Sequence, residues 1–275
     1  MVPPDQVQAH VDSGGGARPG DDAALIEVKG LWLDPQERIT IGELIGVLPV
    51  RGDVQVVEQP GRGQVARLMP MTNVHETSRT AFLLVDPYND MFAEDGKIYP
   101  RIREVAESVG LHQHVRELLD AVRASGMPVV IAPHRRYRAG DLEGWQRPAP
   151  TQERLREYQL YAVGSDGGEW YPDFAPRAGD IVATEHWGMS GFAHTDLDQQ
   201  LRQHGIEHII LAGVTAPGCV EGTGRWGMEL GYAVTLVKDA TAAFSKEWMH
   251  AAVELNGPLY AEVLSSAEVL TRIKN

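Results

Sequence analysis

Short, mostly continuous apolar runs recur along the C-terminal part of the chain: "TAFLLVD" (80–86), "PVVIA" (128–132), "DIVATE" (180–185), "HIILAG" (208–213) and "YAVTLVKD" (232–239). Runs without polar alternation are what strands buried on both faces require. Between them lie helical patterns. Val115, Leu118, Leu119 and Val122 recur at i, i+3, i+4 and i+7, and "TDLDQQLRQHG" opens with Thr195 and closes with Gly205, residues that start and stop helices. Strands alternating with helices imply right-handed crossovers and a parallel sheet. The expected fold is therefore α/β, a three-layer parallel sheet with helices on both faces, over residues 79–275.

The N-terminal part reads differently. "DSGGGARPGDD" (12–22) clusters Gly, Pro and Asp without apolar periodicity, so residues 1–25 are expected to form a flexible tail. From 26 to 78, alternating runs such as "LIEVKGLWL" and "DVQVVEQ" predict an N-terminal extension of short strands outside the main sheet. It would serve as an arm on a neighbouring subunit, a flap over a pocket, or a surface elaboration with no part in chemistry.

Composition narrows the setting. With 275 residues, 43% hydrophobic and 23% charged, the chain can bury an enzyme-sized core. The 25 basic against 38 acidic residues give a formal charge of -13, which disfavours nucleic acid and anionic membrane surfaces as partners. A single cysteine, no signal-like N-terminus and no bilayer-length apolar run point to a reducing cytoplasm.

Ligands of a parallel α/β sheet bind beyond the carboxyl ends of its strands. Asp86 ends the first core run, Glu185 and His186 follow the third, and Cys219 follows the fourth in "GVTAPGCVEG". A helix starting near Cys219 would favour a thiolate and hold an oxyanion, so an activated thiol would titrate well below the free value of about 8.5. A lone cysteine is equally a small buried hydrophobe. Asp86 suits proton transfer from a thiol, or is a turn residue. His186 can share a proton with a thiolate, or is a structural histidine held in a turn.

The segments "AFLLVDPYNDMF", "PVVIAPHRRY" and "SGFAHTDLDQQLRQHGIEHIILAGVTAPGCVEGTGRWGMELGYAVTLVKDA" resemble the isochorismatase-like cysteine hydrolase superfamily from about residue 79 to about 270. The resemblance implies a Rossmann-like sheet, often assembled into homo-oligomers. It also implies an Asp-Lys-Cys triad that cleaves C–N bonds through a thioester. Carried over, Asp86 is the general base and Cys219 the nucleophile. Val214 and Thr215 flank a non-proline cis peptide, and the amides of Thr215 and Cys219 form the oxyanion hole. The family lysine has no counterpart. Four residues before Ser190 stands His186, and Lys29, Lys97, Lys238, Lys246 and Lys274 all lie elsewhere. An Asp86–His186–Cys219 site is the resulting expectation. Aligning Glu185 at that place instead would disfavour the thiolate.

No cofactor is expected and no metal, because "APHRRYRAGDLEGW" offers only His134 near Asp141 where the nicotinamidase branch carries an Asp and several histidines. Glu185, Trp187, Phe192, His134 and Trp170 are the expected pocket residues for a small-molecule substrate, with Trp145 in the long loop nearby. Arg135, Arg136 and Arg138 would either hold a substrate carboxylate or form a solvated face. The favoured activity is cysteine-dependent amide-type hydrolysis. The alternatives are vinyl ether hydrolysis of the isochorismate type, in which the cysteine is dispensable, and a non-catalytic binding protein that kept the fold.

Overall fold

The computed structural model describes residues 9–11, 26–28, 53–59, 63–69 and 78–274. The chain divides into two compact units, Met1–Asn73 and Val74–Asn275. In the first, β1 (Ala9–Val11) pairs antiparallel with β2 (Ile26–Val28), and β3 (Asp53–Gln59) forms an antiparallel hairpin with β4 (Gly63–Met69). β1 falls inside the stretch expected as a tail. The glycine-rich run 12–22 that prompted that expectation lies outside the described residues, as does most of 26–52.

The second unit contains a parallel sheet of six strands: β5 (Thr80–Val85), β6 (Val129–Ala132), β7 (Ile181–Val182), β8 (His208–Val214), β9 (Ala233–Ala242) and β10 (Glu262–Leu264), in the spatial order β10-β9-β8-β5-β6-β7. All pairings are parallel. Side chains of β5 alternate between two cores, as the pleat demands. Phe82 and Leu84 face a cluster containing Ile102, Leu118 and Val269, whereas Ala81, Leu83 and Val85 face Leu197, Leu201 and Val220. Helices therefore cover both faces and the sheet is the middle of three layers.

The helices are α1 (Asn89–Phe92), α2 (Tyr99–Val109), α3 (Leu111–Ser125), α4 (Pro150–Tyr158), α5 (Leu197–Gln203), α6 (Glu221–Glu229), α7 (Lys246–His250) and α8 (Ser266–Lys274). In α3, Val115, Leu118, Leu119 and Val122 are buried on one stripe. The Thr195 hydroxyl accepts the Leu197 N–H at 3.2 Å before α5, and Gly205 adopts φ +69 after it.

Sequence and structure differ at three strands. "DIVATE" supplies only the two residues of β7, because the chain then leaves the ladder: the Thr184 N–H bonds the Asp196 carboxylate at 2.6 Å and the Glu185 side chain turns to arginines. β9 runs on to Ala242, past a register shift opposite Leu211 and Gly213. The edge strand β10 is too short to show a pattern.

The chain moves outward from β5 through β6 to β7, then returns to the other side of β5 as β8. The switch point therefore lies between the carboxyl ends of β5 and β8, where sheets of this kind bind ligands. The two strands need a close approach there. Gly213 has φ +113, and a Cβ at this position would run into the Val85 backbone. Gly213→Ala is expected to destabilise the protein by at least about 3 kcal/mol, read as a lower urea midpoint with an unchanged m value.

Candidate active site

Asp86 follows β5 directly, with φ +56 and its N–H bonded to the Ala132 carbonyl at 3.2 Å. This left-handed turn, tolerable for an aspartate, swings a fully buried carboxylate across the switch point. The Val214–Thr215 peptide after β8 is cis. A π-helical turn, Ala216–Val220, then carries Cys219 into the start of α6. Asp86 and Cys219 thus meet from neighbouring strands.

His186 completes the group. Its Nε2 lies 3.1 Å from Asp86 Oδ1, and its Nδ1 lies 2.9 Å from the Gly188 carbonyl oxygen. A carbonyl only accepts, so Nδ1 carries a proton. The contact with Asp86 holds a second proton between an imidazole nitrogen and a carboxylate oxygen. Asp86 and His186 are therefore joined through a single shared proton between Nε2 and Oδ1. Asp86 Oδ2 has no hydrogen-bond partner among the described residues, and it is on the Asp86 carboxylate that the Cys219 thiol impinges. The same sulfur lies 4.0 Å from the Gly188 carbonyl.

The thiol is not the resting thiolate that a helix terminus alone would produce. Burial, then the Asp86 charge and its contact with the thiol, push the Cys219 pKa well above the ordinary thiol range. Only the cysteine's own backbone N–H acts the other way. The sequence pattern showed the helix start but not that the sulfur would be buried beside a carboxylate.

His134, after β6, packs its ring 4.8 Å from that of His186. Its Nδ1 faces the Arg135 carbonyl at 3.1 Å and so carries the proton, which leaves Nε2 as an acceptor. Burial first, and the neighbouring His186 second, lower its pKa to about 4. His134 is consequently neutral in the folded protein at neutral pH. Between about pH 4 and the unfolded value near 6.5, the unfolded chain binds the extra proton. Stability should therefore rise with pH across that window, by about 3 kcal/mol in total. His134→Asn should flatten that part of a thermal-midpoint titration.

A cavity of ≈ 160 Å³ is lined by Cys219, Thr215 and Gly218 together with His134, Tyr161, Met91, Leu155 and Leu160. Tyr161 was not expected. Its backbone N–H is pinned to the buried Asp90 carboxylate at 2.7 Å, and its ring stacks on Tyr88 at 5.3 Å. The Tyr88 hydroxyl in turn donates to the His134 carbonyl at 3.0 Å. Tyr161 lies in a stretch with no motif and reaches the site only through long-range packing.

Four expected pocket residues lie elsewhere. Glu185 is bound by Arg136 at 2.6 Å and Arg135 at 3.4 Å, so it turns away from Asp86 and His186 holds the position beside the carboxylate. Trp187 stacks on Trp145 and under Arg135. Phe192 is core, stacked on Tyr232. Trp170 backs Tyr88 from behind, 4.8 Å ring to ring. Two arginines of the run are also committed, since Arg135 pairs with both Asp141 and Glu185 and Arg136 with Glu185. Among described lysines none lines the cavity: Lys97 bonds the Tyr158 and Gln159 carbonyls and Lys246 pairs with Glu104. Lys29 lies outside the described residues.

A ring nitrogen of His134, one of His186 and the Cys219 sulfur lie within 4.8 Å of one another, a donor set of the kind that binds soft metals. Both His186 nitrogens are engaged by Asp86 and Gly188, so ligation there would displace one of those bonds.

A three-layer parallel sheet that converges a carboxylate, an imidazole and a thiol on its switch point defines the class: an α/β protein with its reactive groups on strand-end loops. Residues 80–268 match the Isochorismatase domain, and the chain belongs to that family of hydrolases. It is 29% identical over 175 residues to the ureidoacrylate amidohydrolase RutB of Yersinia enterocolitica, covering 60% of this chain and 76% of the relative. Among solved structures, a cysteine hydrolase from Pseudomonas syringae pv. phaseolicola superposes with TM-score 0.61 at 26% identity, over 72% of this chain and 93% of that one. N-carbamoylsarcosine amidase from Thermoplasma acidophilum gives 0.51 at 28% identity, over 68% and 96%. Among the described residues no helix is long and apolar enough to cross a membrane.

Proposed function

We propose that the protein hydrolyses a C–N bond of a small amide or ureido compound, with Cys219 as nucleophile and a thioester intermediate. The observation that carries this reading is the contact of the Cys219 thiol, which lines a cavity, with the buried Asp86 carboxylate, whose Oδ1 lies 3.1 Å from His186 Nε2. The relatives named for amide cleavage are consistent with it.

In this mechanism the thiol gives its proton to Asp86 Oδ2 as the sulfur attacks the substrate carbonyl. The resting thiol is neutral, so proton removal and attack are coupled. The oxyanion sits against the backbone N–H groups of Thr215 and Cys219. Collapse breaks the C–N bond, and the amine leaves with the proton held by Asp86. Water then attacks the thioester, delivering a proton to Asp86 that returns to sulfur as the acid departs. Through both halves His186 keeps Oδ1 occupied, so proton traffic is confined to Oδ2. His134, neutral and with Nε2 free to accept, orients the substrate N–H.

Acid-quenching the protein during turnover of a panel of small amides and ureido compounds, followed by intact-mass and peptide analysis, is the test. An acyl adduct on Cys219 that is missing from Cys219→Ala supports the reading. Turnover without an adduct, undiminished in Cys219→Ala, would overturn it and favour a cysteine-independent reaction such as vinyl ether hydrolysis.

A further inference from the structure

The charges around the cavity are unevenly committed. Arg135 and Arg136, which the sequence offers first as anion binders, are tied to Asp141 and Glu185, and Arg103, Arg116 and Arg123 are paired with Glu94, Asp173 and Asp180. Arg154, on α4, lines the cavity that holds Cys219 and is, among the described residues, the one permanently charged side chain in its wall. Its guanidinium has no ion pair or hydrogen bond among the described residues. A wider depression adjoins this cavity, shares Ile98, Arg154, Leu160, Phe244 and Trp248 with it, and adds Arg101 from α2. The Arg101 guanidinium lies 5.8 Å from the Phe244 ring centre and is likewise without an acidic partner among the described residues. Among the described residues no acidic side chain lines either space.

Two unpaired cations at the mouth of an otherwise apolar cleft are unusual in a chain of net charge -13, where acids to pair them are plentiful. Low-dielectric walls focus such a field into the cleft and raise the local concentration of anions. The planar fork of arginine suits a carboxylate, which it can bind through two parallel hydrogen bonds. Arg154 and Cys219 line the same cavity of ≈ 160 Å³, so a small molecule that reaches the thiol also lies in the field of the guanidinium.

We propose that Arg154, supported further out by Arg101, is the anion-binding end of the substrate site. Compounds that reach Cys219 would therefore carry a small anionic group, a carboxylate above all, a few bonds from the carbonyl attacked. This builds on Cys219 as the attacking group, but the charge selectivity of the cleft is measurable without any substrate.

Iodoacetate and iodoacetamide alkylate a thiolate by the same displacement of iodide and differ in that the first is an anion. Their rate ratio at Cys219 would be measured by intact mass for the native protein, Arg154→Met, Arg154→Lys and Arg101→Met. Changes in thiol reactivity cancel in the ratio, and the iodoacetamide rate also reports whether the site is intact. The native ratio is expected to exceed that of the unfolded protein and to fall at least about fivefold in Arg154→Met, less in Arg101→Met, with Arg154→Lys close to native. Rising salt should lower the native ratio, and lower that of Arg154→Met much less. A native ratio no higher than in the unfolded protein, or one unchanged in Arg154→Met, would overturn the anion site. If the ratio behaves as expected while no acyl adduct is found on Cys219, the anion site stands and the thioester mechanism falls.

Discussion

Asp86→Asn is expected to lower kcat/KM by about 10³-fold while making Cys219 easier to alkylate. The two effects run in opposite directions because Asp86 does two things to the sulfur. As a base it removes the thiol proton during attack, and an amide does not. As a charge it opposes thiolate formation at rest. Burial is the larger cause of the raised thiol pKa and is left unchanged, but the Asp86 charge comes next and is absent from the variant. The pH profile of iodoacetamide labelling should therefore move to lower pH in Asp86→Asn even as turnover collapses. A variant that lost both turnover and labelling would mean that the carboxylate only holds the site together. One that kept its turnover would remove Asp86 from the chemistry.

The second large effect concerns the position where the family lysine would stand. His186→Ala leaves a fully buried carboxylate without its partner, and a loss of about 10² to 10³-fold in kcat is expected, with about 1–3 kcal/mol of stability. Those two losses are separable. His186→Gln keeps a donor for Asp86 Oδ1 and should recover much of the stability without the rate, whereas His186→Lys restores a cation and should recover part of the rate. If glutamine restored turnover as well as lysine does, the charge at this position would be irrelevant and His186 would be a purely structural partner. Circular dichroism and a denaturant titration on each variant keep folding and catalysis apart.

Much of the architecture was written in the local pattern. Continuous apolar runs gave strands buried on both faces, and the stripe from Val115 to Val122 gave a helix that packs as its spacing demands. The convergence of Asp86, His186 and Cys219 followed from their all standing at carboxyl ends of parallel strands, which is a statement about topology. What stayed hidden depends on contacts far apart in sequence. Tyr161 comes to the cavity because Asp90 anchors its backbone, 71 positions away. Aromatic residues near a reactive residue in sequence, Trp187 and Phe192 among them, need not face it, because neighbours on an extended chain point to opposite sides. The arginines showed the same limit, since Arg135 and Arg136 of the conspicuous run are neutralised by acids and the guanidinium in the wall of the Cys219 cavity is that of Arg154, on an unremarkable helix.

The carbonyl of Gly188 fixes the tautomer of His186. A main-chain oxygen is supplied by every amino acid, so drift in the side chain at 188 leaves the proton inventory of the site untouched. A change in loop length between 186 and 190 would not. Lineages that carry an imidazole at this position should therefore vary freely in residue type at 188 while conserving the number of residues between 186 and 190, a signature that an alignment of sequences sharing His186 would reveal.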